Sequence, residues 1–159
     1  MKVFLDANAL VAAIATRGLC SELFEAVLQY HELVTCRQVL EELDRVLREK
    51  LKLPERQVAG YLELTKAEAQ LVESREPLSP AIKDRDDNPI LACAAGGAAD
   101  VFVTGDAELL GPGLINDVPI LSPRRFWTRL AGLEDRYRLF LAVEGRRDCA
   151  GDDVREKRA

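Results

Sequence analysis

The residues with the best claim to chemistry are acids: Asp6, Glu42, Asp106 and the Asp86-Asp87 pair. Asp6 follows the apolar run Val3-Phe4-Leu5, and Asp106 follows Val101-Phe102-Val103 after Thr104-Gly105. Both runs have the make-up of short buried strands. Parallel strands bring ends of the same sense together, and ligands of open α/β sheets bind outside the carboxyl ends. The Asp86-Asp87 pair stands at the opening of an apolar helix just ahead of the second strand. If these carboxylates converge, they cannot all ionise without a compensating cation. Oxygen donors suit Mg²⁺ or Mn²⁺. Two such ions about 4 Å apart activate a water and stabilise the leaving oxygen of a phosphodiester. The plainer alternative is structural, because Asp is a favoured helix N-cap and each Asp precedes a helix.

Those acids need a scaffold. Lys2 to Leu5 reads as a strand, Ala9 to Ala15 as a helix broken at Thr16-Arg17-Gly18, Ser21 to Tyr30 as a second helix and Glu32 to Thr35 as a second strand. Arg37 to Lys50 carries Val39, Leu40, Leu43, Val46 and Leu47 on one stripe. At about 100° per residue, Glu42 falls at the edge of that stripe and Glu41 nearly opposite, toward water. Leu53-Pro54 opens a helix expected to run to about Glu73, followed by a loop at Pro77 to Pro80. Asn88 is placed to cap, and Pro89 to begin, a helix through Ala95 that Gly96-Gly97 ends. Thr104-Gly105-Asp106 caps a short helix through Leu110. Pro112-Gly113 turns, Val118 to Leu121 is a last strand, and Ser122-Pro123 starts a helix with Phe126, Trp127 and Leu130. Glu134 to Val143 fits an amphipathic helix, and Gly145 to Ala159 reads as a charged, disordered tail. Strands alternating with helices predict a parallel sheet with helices on both faces.

Composition narrows the class. With 159 residues, 48% apolar and 31% charged, the chain has the make-up of one globular domain. No apolar run approaches the roughly 20 residues of a membrane helix, and the start reads as a strand rather than a signal peptide. Four cysteines without CxxC spacing and a single histidine, His31, argue against zinc and fit a reducing cytoplasm. Cys93, within an apolar helix, reads as a small core residue. The net charge of −5 opposes nucleic-acid binding by bulk electrostatics, so a polyanionic substrate would need metal and local Arg or Lys.

VFLDANAL at Asp6, QVLEEL at Glu42, DRDDNPILACA at 84–94 and TGDAELL at 104–110 together resemble the PIN domain, and more narrowly its toxin members in bacterial and archaeal toxin–antitoxin pairs. The resemblance covers about residues 1–127. It implies a three-layer α/β/α fold with a central parallel sheet, and a Mg²⁺- or Mn²⁺-dependent ribonuclease cutting single-stranded RNA to 5′-phosphate and 3′-hydroxyl ends. It places the acids on Asp6, Glu42, Asp87 and Asp106, with Asp86 as the substitute if the register slips. Asn8 and Thr104 fall where the family has hydrogen-bonding neighbours of the acids. Asp6, Asp87 and Asp106 would bind metal, and Glu42 would bind metal or orient the water. Arg17, Lys83 and Arg85 are candidates for phosphate contacts. The resemblance also implies a small antitoxin partner, a homodimer and a cytoplasmic setting. The expected division is a nuclease domain over 1–131, a helical extension over 132–144 and the tail over 145–159.

Three other functions compete with the toxin. A PIN-like RNA-processing nuclease outside any toxin pair shares every motif. A non-catalytic binding module would not need the complete acid set. A phosphotransfer receiver would need a Lys after a late strand, where Ser122-Pro123 stands instead.

Overall fold

The computed structural model describes residues 1–73 and 88–132. The chain divides at Phe126/Trp127, and the elements below belong to the first unit, Met1–Phe126, except where a helix over 123–132 runs on past it. Six strands form one sheet: β1 (Lys2–Leu5), β2 (Glu32–Thr35), β3 (Ala69–Leu71), β4 (Val101–Val103), β5 (Leu114–Ile115) and β6 (Val118–Leu121). Their spatial order is β3-β2-β1-β4-β6-β5. All neighbours are parallel except β5 and β6.

The helices are α1 (Ala7–Ala15), α2 (Leu19–Tyr30), α3 (Arg37–Arg45), α4 (Glu55–Glu68), α5 (Asn88–Gly96), α6 (Ala107–Leu110) and α7 over 123–132. The connections step from β1 outward to β2 and β3, then return across β1 to β4. Right-handed crossovers put the helices of the outward and return paths on opposite faces of the sheet. The mixed α/β architecture is the one expected.

The core follows from strand composition. Val3, Phe4, Leu5, Val101, Phe102 and Val103 are fully buried or nearly so, as strands covered on both faces must be. Phe4 and Phe102 stack with ring centroids 5.4 Å apart across the β1–β4 ladder. Burying each such ring contributes about 1.5–3 kcal/mol. This pair locks together the two strands whose ends carry Asp6 and Asp106.

Local departures from the expected pattern have physical reasons. The helix expected to reach Glu73 ends at Glu68, and residues 69–71 form β3. Ala69, Gln70 and Leu71 pair with Leu33, Val34 and Thr35, and the Val72 amide donates to the Thr35 carbonyl at 2.9 Å. The backbone groups along β2 need partners, and that need outweighs the helical preference of the segment. The Arg37–Lys50 helix widens into a π turn over Val46–Lys50, where the Leu51 amide donates to the Val46 carbonyl at 3.0 Å. The widened turn keeps both Val46 and Leu47 buried. α1 begins two residues earlier than expected, α2 two and α5 one. β5 was not expected. It forms a hairpin with β6 through Asn116 and Asp117, both at positive φ (43° and 70°), the two-residue turn that matches strand twist.

Candidate functional site

Asp6 and Thr104 occupy equivalent positions, one residue past the ends of β1 and β4. The Asp6 amide donates to the Val103 carbonyl at 3.1 Å, and the Thr104 amide to the Leu121 carbonyl at 3.1 Å, so the ladder extends to both. The chain changes direction in the sheet between β1 and β4, and the crevice at that switch point is where α/β sheets bind ligands.

Asp6 is only 4% exposed. Its two oxygens have separate duties. Oδ1 accepts from the Ala9 amide at 2.7 Å and caps α1. Oδ2 accepts from the Thr104 hydroxyl. That hydroxyl in turn accepts from the Asp106 amide at 2.9 Å, and Asp106 Oδ1 accepts from the Glu108 amide at 2.8 Å, capping α6. The structural role of the aspartates is therefore real. It leaves their charge in place.

That charge is costly at Asp6. Burial raises its carboxyl from the ordinary 3.8 to about 6. The Thr104 hydroxyl and the Ala9 amide oppose the rise, while the negative charges of Glu42 and Asp106 add to it. Three of the expected acids thus share one electrostatic neighbourhood although they come from separate elements. Sharing a field is not sharing an ion: among the described residues, no group of three or more His, Cys, Asp or Glu side chains is close enough to hold a metal. Asp86 and Asp87, together with Lys83 and Arg85, lie outside the described residues.

Glu42 is half-buried on α3, as its place at the stripe edge predicts, and Glu41 faces solvent. Arg45 lies 3.6 Å from the Glu42 carboxylate, an exposed pair of small energetic weight. The i,i+3 spacing of that pair was readable in the sequence. Asn8 is exposed on the first turn of α1, and Arg17 is exposed between α1 and α2. Cys20, at the start of α2, is a neighbour that no sequence signal announced. Burial raises its thiol, and the Asp6 charge raises it further.

The donor set fits a hard divalent cation. Asp6, Glu42 and Asp106 offer carboxylate oxygens, and the groups acting on the buried Asp6 charge are a hydroxyl, an amide and two further carboxylates. The described residues that could supply ligands to such an ion are Asp6, Glu42 and Asp106, although as placed they form no cluster of three.

The family profile described as the PIN domain matches residues 2–108. Among solved structures, the chain is similar to one in VapBC2 from Rickettsia felis bound to a DNA fragment from their promoter, with 14% identity and a TM-score of 0.53, covering 77% of this chain and 98% of that one. It is also similar to PAE2754 from Pyrobaculum aerophilum, with 17% identity and a TM-score of 0.56, covering 83% and 96%. At these identities the likeness is one of fold. No curated protein matches the sequence.

Proposed function

We propose, from the premise that this chain belongs to the PIN domain family, that it is a Mg²⁺- or Mn²⁺-dependent endoribonuclease of single-stranded RNA and the toxin of a toxin–antitoxin pair. The observation that carries the reading is the buried Asp6 carboxyl, raised to about 6 by burial and by the fields of Glu42 and Asp106 at the sheet's switch point. A buried carboxylate in the field of two others is suited to a bound cation.

In this reading Asp6, Asp87 and Asp106 hold the ion, with Asp86 in reserve. Thr104 fixes the Asp6 carboxylate by donating to Oδ2, and Glu42 would bind the ion or orient the attacking water. A divalent ion, if held by these acids, would supply an activated water and offset charge on a phosphodiester, so no histidine base would be required. His31, the chain's one histidine, closes α2 and precedes β2. Arg17 is the described candidate for a phosphate contact. A solved fold relative comes from a VapBC complex, which supports a small antitoxin as partner. Homodimerisation and a cytoplasmic setting belong to the same proposal. Among the described residues no helix is long and apolar enough to cross a membrane.

The test is cleavage of a single-stranded RNA panel with Mn²⁺, Mg²⁺ or EDTA, beside Asp87→Asn and Asp106→Asn. Metal-dependent cutting that falls at least about 10²-fold in both variants is expected, the scale of a lost electrostatic catalytic group. Equal cutting by wild type and variants would refute the assignment. Absence of both cutting and calorimetric metal binding would favour a non-catalytic module.

A further inference from the structure

We propose that Cys36 and Cys93 are a redox pair, converted by a hydroperoxide into a reversible intramolecular disulfide that ties α3 to α5 and alters the acid-bearing end of the sheet. The control of activity rests on the nuclease reading; the bond itself does not.

Cys36 immediately precedes α3, and Cys93 lies inside α5. Both are free thiols with almost no exposed surface. They come from distant parts of the sequence, yet the Cys36 thiol has the Cys93 thiol as a neighbour, and Cys93 Sγ lies 3.8 Å from the side chain of Gln38, two residues along from Cys36. α3 and α5 pack against each other, so the contact belongs to the core rather than to a mobile surface. Two thiols meeting in the interior differ from a lone buried cysteine, because oxidation has a partner already in place.

Cys93 also borders a cavity of about 710 Å³ together with Gln38, Leu40, Leu62, Leu71 and Val72. Asp6, Glu42 and Asp106 are not among its described lining residues. A hydroperoxide is little larger than water and can enter a space of that size. At the cavity wall, the Cys93 thiol lies 3.8 Å from Gln38 Oε1, which accepts its hydrogen.

This asymmetry assigns the roles. Cys93, at the cavity, meets the oxidant. Its sulfur attacks a peroxide oxygen, an S–O bond forms, the O–O bond breaks, and the departing oxygen leaves as water with the thiol proton. Cys36 then attacks the sulfenic sulfur of Cys93. An S–S bond forms, the S–O bond breaks, and a second water leaves with the Cys36 proton. Two thiols are oxidised by two electrons, and hydrogen peroxide is reduced to two waters. Burial holds the Cys36 thiol well above its ordinary range, with the Val39 amide opposing, so little of it is thiolate and its attack on the sulfenic sulfur is the slow step. The device is therefore one for sustained oxidation rather than for a brief pulse.

The bond changes geometry where it matters. A disulfide requires sulfurs about 2.05 Å apart, closer than two unbonded thiols can lie, and it takes the Cys93 hydrogen away from Gln38. Closing that gap draws α5 toward the start of α3. α3 carries Glu42, and α5 begins at Asn88, directly after Asp86-Asp87 in the sequence.

The experiment uses the full chain carrying Cys20→Ala and Cys149→Ala, compared with itself before and after hydrogen peroxide. The expected results are the loss of two hydrogens in the intact mass and a non-reducing peptide map joining the Cys36 and Cys93 peptides. Thermal unfolding should shift upward by about 5–10 °C, the usual range for a disulfide in a chain of this size. RNA cleavage should fall by about 10²-fold, the cost of a ~1 Å misplacement in an active site. Dithiothreitol should reverse all of these, and neither Cys36→Ala nor Cys93→Ala should show any. Peroxide that leaves both thiols reduced, or drives Cys93 to sulfinic acid without the cross-link, would overturn the pair. A cross-link that moves neither unfolding nor cleavage would overturn its control role. If the reduced protein cuts no RNA, the nuclease reading fails, while mass, map and unfolding still decide the disulfide.

Discussion

Asp6→Asn should make the metal-free protein more stable at neutral pH. An acid whose folded pKa is raised favours folding in its protonated form. That stabilising contribution is complete below the unfolded value of 3.8 and is lost as pH rises through about 6. Above pH 6 the folded wild type holds a buried charge. The difference between 3.8 and about 6, at about 1.4 kcal/mol per pKa unit, places that burden at about 3 kcal/mol. Asparagine carries no charge and can still accept from the Ala9 amide, but it no longer accepts from the Thr104 hydroxyl at the other position. That loss is about 1 kcal/mol. The net expectation at pH 7.5 is a gain of about 2 kcal/mol, or roughly 4–8 °C in thermal midpoint for a chain of this size. Below pH 4 the order should reverse, with the variant about 1 kcal/mol less stable, because only the hydrogen-bond loss remains. Urea unfolding in EDTA at several values between pH 3.5 and about 8, the window around the two pKa values, measures this. A variant that is less stable than wild type at pH 7.5, or a gap that does not change with pH, would refute the reasoning. Adding Mg²⁺ in place of EDTA should raise wild-type stability and leave Asp6→Asn unmoved.

Other expectations follow from single contacts. Thr104→Val removes the donor to Asp6 and the acceptor for the Asp106 amide. It should cost about 1–3 kcal/mol at neutral pH and move the acid-side stability change to higher pH, seen in the same urea series. Gly97→Ala would put a Cβ 2.9 Å from Val72 Cγ2 and 3.0 Å from the Cys93 carbonyl. Overpacking there should destabilise by about 1–3 kcal/mol in thermal unfolding. Asp117→Gly places glycine at φ 70° in the β5–β6 turn. It should leave stability unchanged or raise it by up to about 1 kcal/mol, and a clear loss would contradict the turn assignment.

How much was legible depends on the range of the forces involved. The α/β alternation, the Asp6 and Asp106 caps and the inward tilt of Glu42 are matters of periodicity and of bonds within three residues, so the sequence alone determined them. The Asn116-Asp117 turn was also a local signal, though a two-residue strand ahead of it gives periodicity little to register. Tertiary structure decided the rest. β3 is a strand because β2 offers it a ladder, an advantage that no propensity within residues 69–71 records. The Thr104–Asp6 hydrogen bond joins residues 98 positions apart, and the rise of Asp6 to about 6 comes first from burial, which exists only once β1 is covered on both faces. Cys93 reads as a solitary core residue in sequence, and only the packing of α3 on α5 makes Cys36 its neighbour. Sequence determined which groups could act, because residue type and short-range geometry are written locally. The folded chain decided which of them meet and at what electrostatic cost, because proximity and desolvation are properties of distant segments brought together.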